Sequence, residues 1–191
     1  MKVIAISGSP SPGSRTRRVL SHVLSLLARR GLDTRLLSLG TLPGDALIHA
    51  DVTAPEIARS LAQIENARVV IVGTPIYKAS CSGLLKVFLD LLPQDGLDGK
   101  IVLPIATGGS MAHLLALDYA LRPVLQSLGA GVVLPSVFAL DREVVRHTDD
   151  TVTLDPVLHA RVQAAADQVG HFVDRLFAPA SDLQTAQHAE A

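Results

Sequence analysis

The sequence lacks tryptophan and contains one cysteine, two tyrosines and four phenylalanines among its 191 residues. A lone cysteine, Cys81, cannot form an internal disulfide, so side-chain packing must hold the fold together. We interpret Cys81 as a small packing residue, because the sequence offers no obvious base or resolving cysteine for it. Since aromatic residues are so scarce, the core must be aliphatic. The two tyrosines, Tyr77 and Tyr119, therefore deserve notice if they fall near a ligand site.

Long apolar runs and an excess of one charge are also missing. No run approaches the roughly 18 apolar residues that a membrane-spanning helix needs. The first residues lack a basic region followed by an apolar stretch, so we expect no export signal. The 17 Lys and Arg residues nearly balance the 18 Asp and Glu residues, and no basic face suggests nucleic acid. We therefore expect a cytoplasmic protein that binds neither membranes nor nucleic acids.

The chain is long enough for one domain with its own core. We assign residues 1–177 to that domain. Residues 178–191 are polar and rich in alanine, and we expect them to form a mobile tail.

Strand and helix patterns alternate along the domain. The apolar patterns predict strands at 3–6, 34–39, 69–72, 101–106 and 132–138. They predict helices after residue 14 up to Gly31, and at 54–66, 82–92, 110–128 and 155–177, with 42–50 irregular. Five strands alternating with helices predict an α/β fold: a doubly wound, flavodoxin-like parallel sheet of order 2-1-3-4-5 with helices on both faces.

The loop at residues 7–16 joins the first strand to the first helix and reads Ser-Gly-Ser-Pro-Ser-Pro-Gly-Ser-Arg-Thr. The first turn of a helix has free backbone N–H groups and a partial positive charge, so it attracts anions. The hydroxyl groups of Ser9, Ser14 and Thr16 and the guanidinium group of Arg15 add donors. The loop predicts a site for one phosphate group. The alternative is a polar loop that only caps the helix.

Two absences narrow the phosphate ligand. The loop has the glycine spacing of a Walker A motif, but Ser14 stands where that motif requires lysine, which disfavours a nucleoside triphosphate. No G-x-G-x-x-G sequence is present, which disfavours a dinucleotide. Hydroxyl and backbone donors with a single arginine suit a monophosphate ester such as FMN.

A second loop, at residues 74–82, follows the third strand. Pro75, Ile76 and Tyr77 offer apolar and aromatic surface beyond the strand end, which suits a flat ring. Lys78 could attract an anionic ligand. The alternative is a strand-to-helix loop whose tyrosine packs on its neighbours and whose lysine is solvated.

A third loop, Thr107-Gly108-Gly109-Ser110, follows the fourth strand. Paired glycines let the backbone approach a ligand closely, so these N–H groups could bond the carbonyl edge of a flavin. The alternative is a tight turn. His113 could face the ligand, although the residues alone favour a role in capping the following helix. Loops that follow strands 1, 3 and 4 meet at one edge of such a sheet, so we expect the three loops to form one site.

Pro123 falls inside the predicted helix 110–128 and cannot donate a hydrogen bond to the carbonyl of Tyr119. The helix must kink there or widen into a π-bulge, and a plain kink is the more frequent outcome. Asp118 and Arg122 stand four residues apart, so we expect them to pair.

A longer set of motifs resembles one known family. The motifs are Gly8-Ser9-Pro10, Ser14-Arg15, Pro75-Ile76-Tyr77-Lys78-Ala79, Ser82-Gly83, Leu89-Asp90-Leu91-Leu92-Pro93, Gly99-Lys100, Ala106-Thr107-Gly108-Gly109 and, most specific, the block from Ala112 to Pro123. Together they resemble the NAD(P)H-dependent FMN reductases of two-component alkanesulfonate monooxygenase systems. One departure is Ser11, where the family usually has a basic residue, which shifts more of the phosphate binding to Arg15.

The resemblance implies that FMN is reduced by NADPH or NADH and that free FMNH₂ passes to a separate FMNH₂-dependent monooxygenase. It also implies a homodimer or homotetramer, with a π-bulge at Tyr119 lying at a subunit interface beside the flavin. We expect Tyr119 in that place to act as a gate, which weakens the hold on the flavin or closes the nicotinamide space after transfer. Because the cofactors carry the hydride transfer, we expect no catalytic acid, base or nucleophile and no metal.

Three other hypotheses about the function stay open. One is an FMN-bound quinone or azo-dye reductase, and another is a flavodoxin-like electron carrier, which the near-neutral charge disfavours. The third is a flavin-bound regulatory protein without enzymatic activity.

Overall fold

The structure is a computed structural model, which describes residues 1–146 and 152–177. The predicted tail at 178–191 lies outside the described residues. The strands are β1 (Lys2–Ser7), β2 (Asp33–Ser38), β3 (Val69–Tyr77), β4 (Ser80–Cys81), β5 (Ile101–Gly108), β6 (Val132–Val133), β7 (Val137–Leu140), β8 (Val144–Arg146) and β9 (Val152–Leu154). The helices are α1 (Arg15–Arg29), α2 (Gly44–Ile48), α3 (Pro55–Glu65), α4 (Gly83–Leu89), α5 (Arg122–Ser127) and α6 (Pro156–Phe177). None of these helices is both long and apolar enough to span a bilayer.

The main strands form a parallel sheet in the order β2-β1-β3-β5, and β6 and β7 both pair with β5. With β5 as the fourth predicted strand and β6 and β7 as the fifth, the order 2-1-3-4-5 is confirmed. The carboxyl ends of β1, β3 and β5 therefore lie side by side, as the site prediction requires.

The fifth strand is not the continuous segment 132–138 that was predicted. Leu134 N–H still donates to the carbonyl of Val102, at 2.8 Å, but Pro135 follows and has no N–H to continue the ladder. Pairing resumes at Val137. The break divides the strand into β6 and β7.

The core consists of two apolar layers, one on each face of the sheet. Successive residues of β1 alternate between them: Val3 and Ala5 pack in the layer under α1 and α6, and Ile4 and Ile6 in the layer under α3 and α4. This alternation is the period of two that a strand imposes. Because both layers are apolar, β1 reads as a continuous hydrophobic run.

Short elements escaped the sequence analysis. The segment 42–50 is not irregular: it contains α2, preceded by a 3₁₀ turn at Leu39–Thr41, and buries Leu47 in the core. A five-residue helix is too short to show a helical period. The antiparallel pair of β8 and β9 was also missed.

The predicted helix 110–128 is wrong as one helix. A 3₁₀ turn covers Met111–His113, a π-helical segment covers Leu117–Leu121, and α5 begins at Arg122. Arg122 N–H donates to the carbonyl of Leu117, five residues back, so the chain widens before Pro123 rather than kinking. The wider turn accommodates a residue that cannot donate to the carbonyl four residues before it.

Two side-chain details of this segment were predicted. Asp118 and Arg122 do pair, with Nε 3.2 Å from Oδ1. The capping role favoured for His113 is wrong, because the hydroxyl of Ser110 accepts the N–H of Ala112 and caps the 3₁₀ turn.

Candidate functional site

A crevice of about 240 Å³ opens at the carboxyl ends of β1, β3, β5 and β7. It brings together the loops that follow three of these strands. Its lining consists of Ser9, Ser11, Gly13, Ser14, Arg15, Thr16, Pro75, Ile76, Tyr77, Thr107, Gly108, Gly109 and Asp141. Ten of the fourteen predicted site residues are among them. Lys78, Ser110, His113 and Tyr119 are not.

The first wall of the crevice is the loop before α1. Ser14 caps this helix, since its hydroxyl accepts the N–H of Arg17 at 3.4 Å, while its own N–H donates to the carbonyl of Ser11. Arg15 and Thr16 begin the helix, and N–H groups in a first turn have no acceptor within the helix. The loop therefore presents backbone donors, hydroxyl groups and a helix N-terminus to the same space.

A close approach of backbones fixes this loop against the sheet. Gly8 N–H donates to the carbonyl of Gly73 at 2.8 Å, and the Ser82 hydroxyl donates to the carbonyl of Gly8 at 2.5 Å. A Cβ atom at position 8 would lie 2.7 Å from Cβ of Leu85, so only glycine fits without displacing α4. The serine that caps α4 thus also anchors the loop.

A buried hydrogen bond ties the first loop to the third. The hydroxyl oxygens of Thr16 and Thr107 lie 2.6 Å apart, and both residues are almost fully buried. These residues are 91 positions apart in sequence. The contact fixes the start of α1 against the end of β5, so the two walls hold a constant separation.

The second wall is a β-hairpin, although the sequence predicted a loop without strand pairing at residues 74–82. β3 extends to Tyr77 and pairs antiparallel with β4, and Lys78 and Ala79 form the turn between them. Both turn residues have positive φ, at 49° and 61°, as a two-residue hairpin turn requires. The hairpin directs Tyr77 along the crevice with half its surface exposed. Lys78 stands at the turn, outside the lining.

The third wall is the end of β5. A Cβ atom at Gly108 would lie 3.0 Å from the ring of Phe138 and 3.6 Å from Nδ1 of His113. The glycine therefore lets a neighbouring ring pack against the backbone. His113 lies behind this wall with its Nδ1 buried and without a hydrogen-bond partner.

Asp141 lines the crevice and was missed by the sequence analysis. Its Oδ1 lies 4.0 Å from Nη1 of Arg15, and its Oδ2 would lie 3.7 Å from a Cβ atom at Gly109. In the structure Asp141 directly follows β7, and ligands in such sheets bind beyond strand ends, but the predicted strand stopped at residue 138 and left Asp141 three residues away. Ser11 and Gly13 were quoted as part of the loop but not chosen as site residues.

The turn that carries Asp141 is anchored from below. One Glu143 carboxylate oxygen accepts the N–H of Leu140 at 2.8 Å, and the other accepts from Arg161 at 2.6 Å. Arg161 also donates to the carbonyl of Phe138 at 2.5 Å. Since Arg161 lies on α6, the closing helix fixes where β7 ends and where Asp141 stands.

The donor set suits an anion with a flat, mostly apolar extension. At the polar end of the crevice, the close backbone approach at Gly8 and the hydrogen bond between the hydroxyls of Thr16 and Thr107 hold the groups in place before a ligand binds. At the other end, Pro75 and Tyr77 of the hairpin offer apolar surface. Among the described residues, no group of three or more His, Cys, Asp or Glu side chains could hold a metal ion. Burial lowers the pKa of His22 and the pKa of Lys100, and neither residue lines the crevice.

Two other clefts contain none of the predicted residues. One of about 280 Å³ lies between α3 and the starts of β1 and β2, near Lys2 and Asn66. Another, of about 310 Å³, lies between the 3₁₀ turn at Met111 and α6. The former opens near the amino ends of strands, where ligands of doubly wound sheets do not bind. The crevice beyond the carboxyl ends is therefore the candidate site.

The chain is similar to known FMN reductases. The model of the NADPH-dependent FMN reductase family matches residues 1–144. An FMN reductase (NADPH) of Escherichia coli K12 is 39% identical over 96% of this chain and 95% of its own length. One from Pseudomonas putida KT2440 is 46% identical, covering 75% of this chain and 73% of its own.

Two further relatives are named for NADH. The NADH-dependent FMN reductase SfnE of Pseudomonas putida is 35% identical over 88% of this chain and 90% of its own length. The solved apo structure of the NADH:FMN oxidoreductase EMOB is 39% identical, with a TM-score of 0.82 over 94% of this chain and 92% of that one.

Proposed function

The chain belongs to the NADPH-dependent FMN reductase family, and from this premise we propose that it supplies reduced FMN to a separate monooxygenase of sulfonate metabolism. Membership makes the chain an oxidoreductase whose cofactors are FMN and NADPH or NADH. The delivery to a partner is the proposed part. It is supported by the motif block from Ala112 to Pro123, which resembles the reductases of alkanesulfonate monooxygenase systems.

The observation that carries the proposal is the convergence of three loops on one crevice. We assign the flavin phosphate to Ser9, Ser14, Arg15 and Thr16, at the amino end of α1. Backbone donors in a helix first turn, together with hydroxyl groups and one guanidinium group, match the oxygens of a phosphate monoester.

The isoalloxazine ring is assigned to the remaining walls. Pro75, Ile76 and Tyr77 provide a flat apolar surface, and Thr107, Gly108 and Gly109 bring the backbone at the end of β5 to the same crevice. Ser110, His113 and Lys78 stand just outside the lining. Their predicted contacts with the cofactor therefore require the ligand to extend beyond the crevice.

When bound, FMN supplies a ring that accepts hydride from the nicotinamide. The chain needs no acid, base or nucleophile for this chemistry. Its residues orient the ring, and the N–H groups at the end of β5 stabilise negative charge on it. The hairpin keeps one side open, since Tyr77 is half exposed.

A homodimer or homotetramer is also part of the proposal. Tyr119 is 80% exposed and Leu115 is 57% exposed, and both lie on the broken helix beside the crevice. Exposed apolar side chains clustered in this way are typical of an interface. We propose that a second copy covers them, and light scattering on the purified protein tests the assembly.

Steady-state kinetics with NADPH, NADH and varied free FMN test the central proposal. A sequential pattern with free FMN as the second substrate is expected. Adding a sulfonate monooxygenase and its substrate should then yield sulfite in proportion to NAD(P)H consumed. A ping-pong pattern with a quinone or azo dye and tightly held FMN would contradict the proposal and favour the quinone or azo-dye reductase.

A further inference from the structure

We propose that Asp141 lowers the affinity of the crevice for the flavin phosphate and so keeps FMN an exchangeable substrate. The inference deepens the proposed function and rests on it. Handing reduced flavin to a partner requires that the flavin leave, and the charges in the crevice supply a reason why it does.

The charge inventory of the crevice is unusually short for a phosphate site. Among the described residues that line it, Arg15 is the one cation and Asp141 the one anion. Ser11 occupies the lining where a second basic residue would add attraction. Within the lining, the charge of Asp141 is therefore matched by Arg15 alone.

The carboxylate is placed to act on the phosphate through Arg15. Oδ1 of Asp141 lies 4.0 Å from Nη1 of Arg15, and both side chains are about half exposed. The Glu143 and Arg161 contacts at the base of its turn fix Asp141 in this position. At this distance the two side chains form an ion pair without a hydrogen bond, so the carboxylate partly offsets the positive charge that Arg15 offers to an arriving phosphate.

Electrostatics give the direction and size of the effect. A phosphate monoester carries a charge of about −1.5 to −2 near pH 7, so it competes with Asp141 for Arg15 and is repelled by it. Both sites are solvated, so the penalty is modest, about three- to tenfold in affinity. Salt screens such interactions, so the penalty should shrink as ionic strength rises.

The test compares flavins with and without the phosphate. Fluorescence quenching of FMN and of riboflavin is titrated against wild type, Asp141→Asn and Asp141→Ala. Both variants are expected to bind FMN about three- to tenfold more tightly at low salt and riboflavin with unchanged affinity. The gain for FMN should fall towards one in 0.5 M salt, where the Debye length is about 4 Å.

A matched control is Asp90→Asn, which removes an exposed carboxylate paired with Lys86 on α4, away from the crevice lining. It should leave both affinities as in wild type. The circular dichroism spectra of the variants check that they fold.

Three results would overturn the inference. Unchanged FMN affinity in both Asp141 variants would show that the carboxylate does not act on the phosphate. Equal weakening for FMN and riboflavin would show that Asp141 binds the ring instead. Wild type that binds neither flavin would contradict the proposed function itself, and this inference with it.

Discussion

The phosphate-loop side of the crevice and the broken helix outside its lining are built in opposite ways. On the phosphate-loop side, Thr16 and Thr107 are 1% and 3% exposed and share a 2.6 Å hydrogen bond. In the broken helix, the segment from Met111 to Leu121 is divided into a 3₁₀ turn and a π-helix, and Tyr119 is 80% exposed.

The contrast separates two tasks. The phosphate-loop side is preorganised, because its backbone is fixed by contacts with β3, α4 and β5 before any ligand arrives. The broken helix carries apolar side chains, such as Leu115 and Tyr119, that the rest of the described residues leave exposed. One side is therefore complete within a single chain, and the other is suited to completion by another molecule. The following substitutions separate these two cases.

The largest effect on stability is expected from Gly8→Ala on the phosphate-loop side. The added Cβ would meet Leu85 at 2.7 Å and the carbonyl of Gly73 at 3.2 Å, which should cost about 2–3 kcal/mol in free energy of unfolding. Urea denaturation measures this loss. Gly83→Ala is the matched control, because a Cβ there has nothing within 4 Å. An equal loss in both variants would contradict the close approach.

A smaller effect is expected from Thr16→Val. The change leaves the buried hydroxyl of Thr107 without its partner, which should cost about 1–2 kcal/mol. In the double variant Thr16→Val, Thr107→Val, the loss should be clearly less than the sum of the two single losses, because no orphaned hydroxyl remains. Strict additivity in denaturant melts would argue that the hydroxyl pair contributes nothing.

The packing of α1 against α6 should respond to pH. Burial first, then the neighbouring charges of His159 and Arg29, lower the pKa of His22, whose ring lies 5.1 Å from that of His159 between α1 and α6. The folded protein thus keeps His22 neutral at pH values where the unfolded chain binds a proton.

The contribution of neutral His22 to the free energy of unfolding should therefore be fully present above about pH 6.5. It should fall as the pH drops from the pKa of His22 in the unfolded chain towards its lower pKa in the folded protein. His22→Gln should flatten this part of the curve. Thermal melts between pH 5 and 7.5 provide the measurement, and an unchanged slope in the variant would refute the assignment.

The smallest effect on stability is expected from Tyr119→Ala on the broken helix. Because the side chain is exposed, the free energy of unfolding should change by no more than about 0.5 kcal/mol. If Tyr119 helps to release flavin, the purified variant should be yellow from retained FMN. Val157→Ala, an exposed position on α6, should stay as pale as wild type. Colourless Tyr119→Ala with unchanged turnover would count against this role.

Much of the architecture was predictable, because it depends on local patterns. The continuous apolar runs of β1 and β3 and the helical spacing from Val19 to Leu24 follow from the period of each element. Gly31 ends α1 as expected, with a positive φ of 81°. The general rule that ligands bind at strand ends then located three walls of the crevice.

Other features carry no local signal. Lys78 and Ala79 adopt positive φ in the hairpin, although neither residue type favours it. The π-helical segment accommodates Pro123, but the sequence alone does not decide between a kink and a π-bulge. The turn that carries Asp141 is held by Arg161, which lies 20 residues later in the sequence and bonds Phe138 and Glu143 on either side of it.

By itself, the sequence determined the alternation of strands and helices, their order in the sheet and the loops that meet at its edge, since these follow from side-chain periodicity and chain connectivity. Only the tertiary structure decided which side chains face the crevice. That choice depends on contacts between distant residues, such as Thr16 with Thr107 and Arg15 with Asp141, whose distances no local pattern encodes.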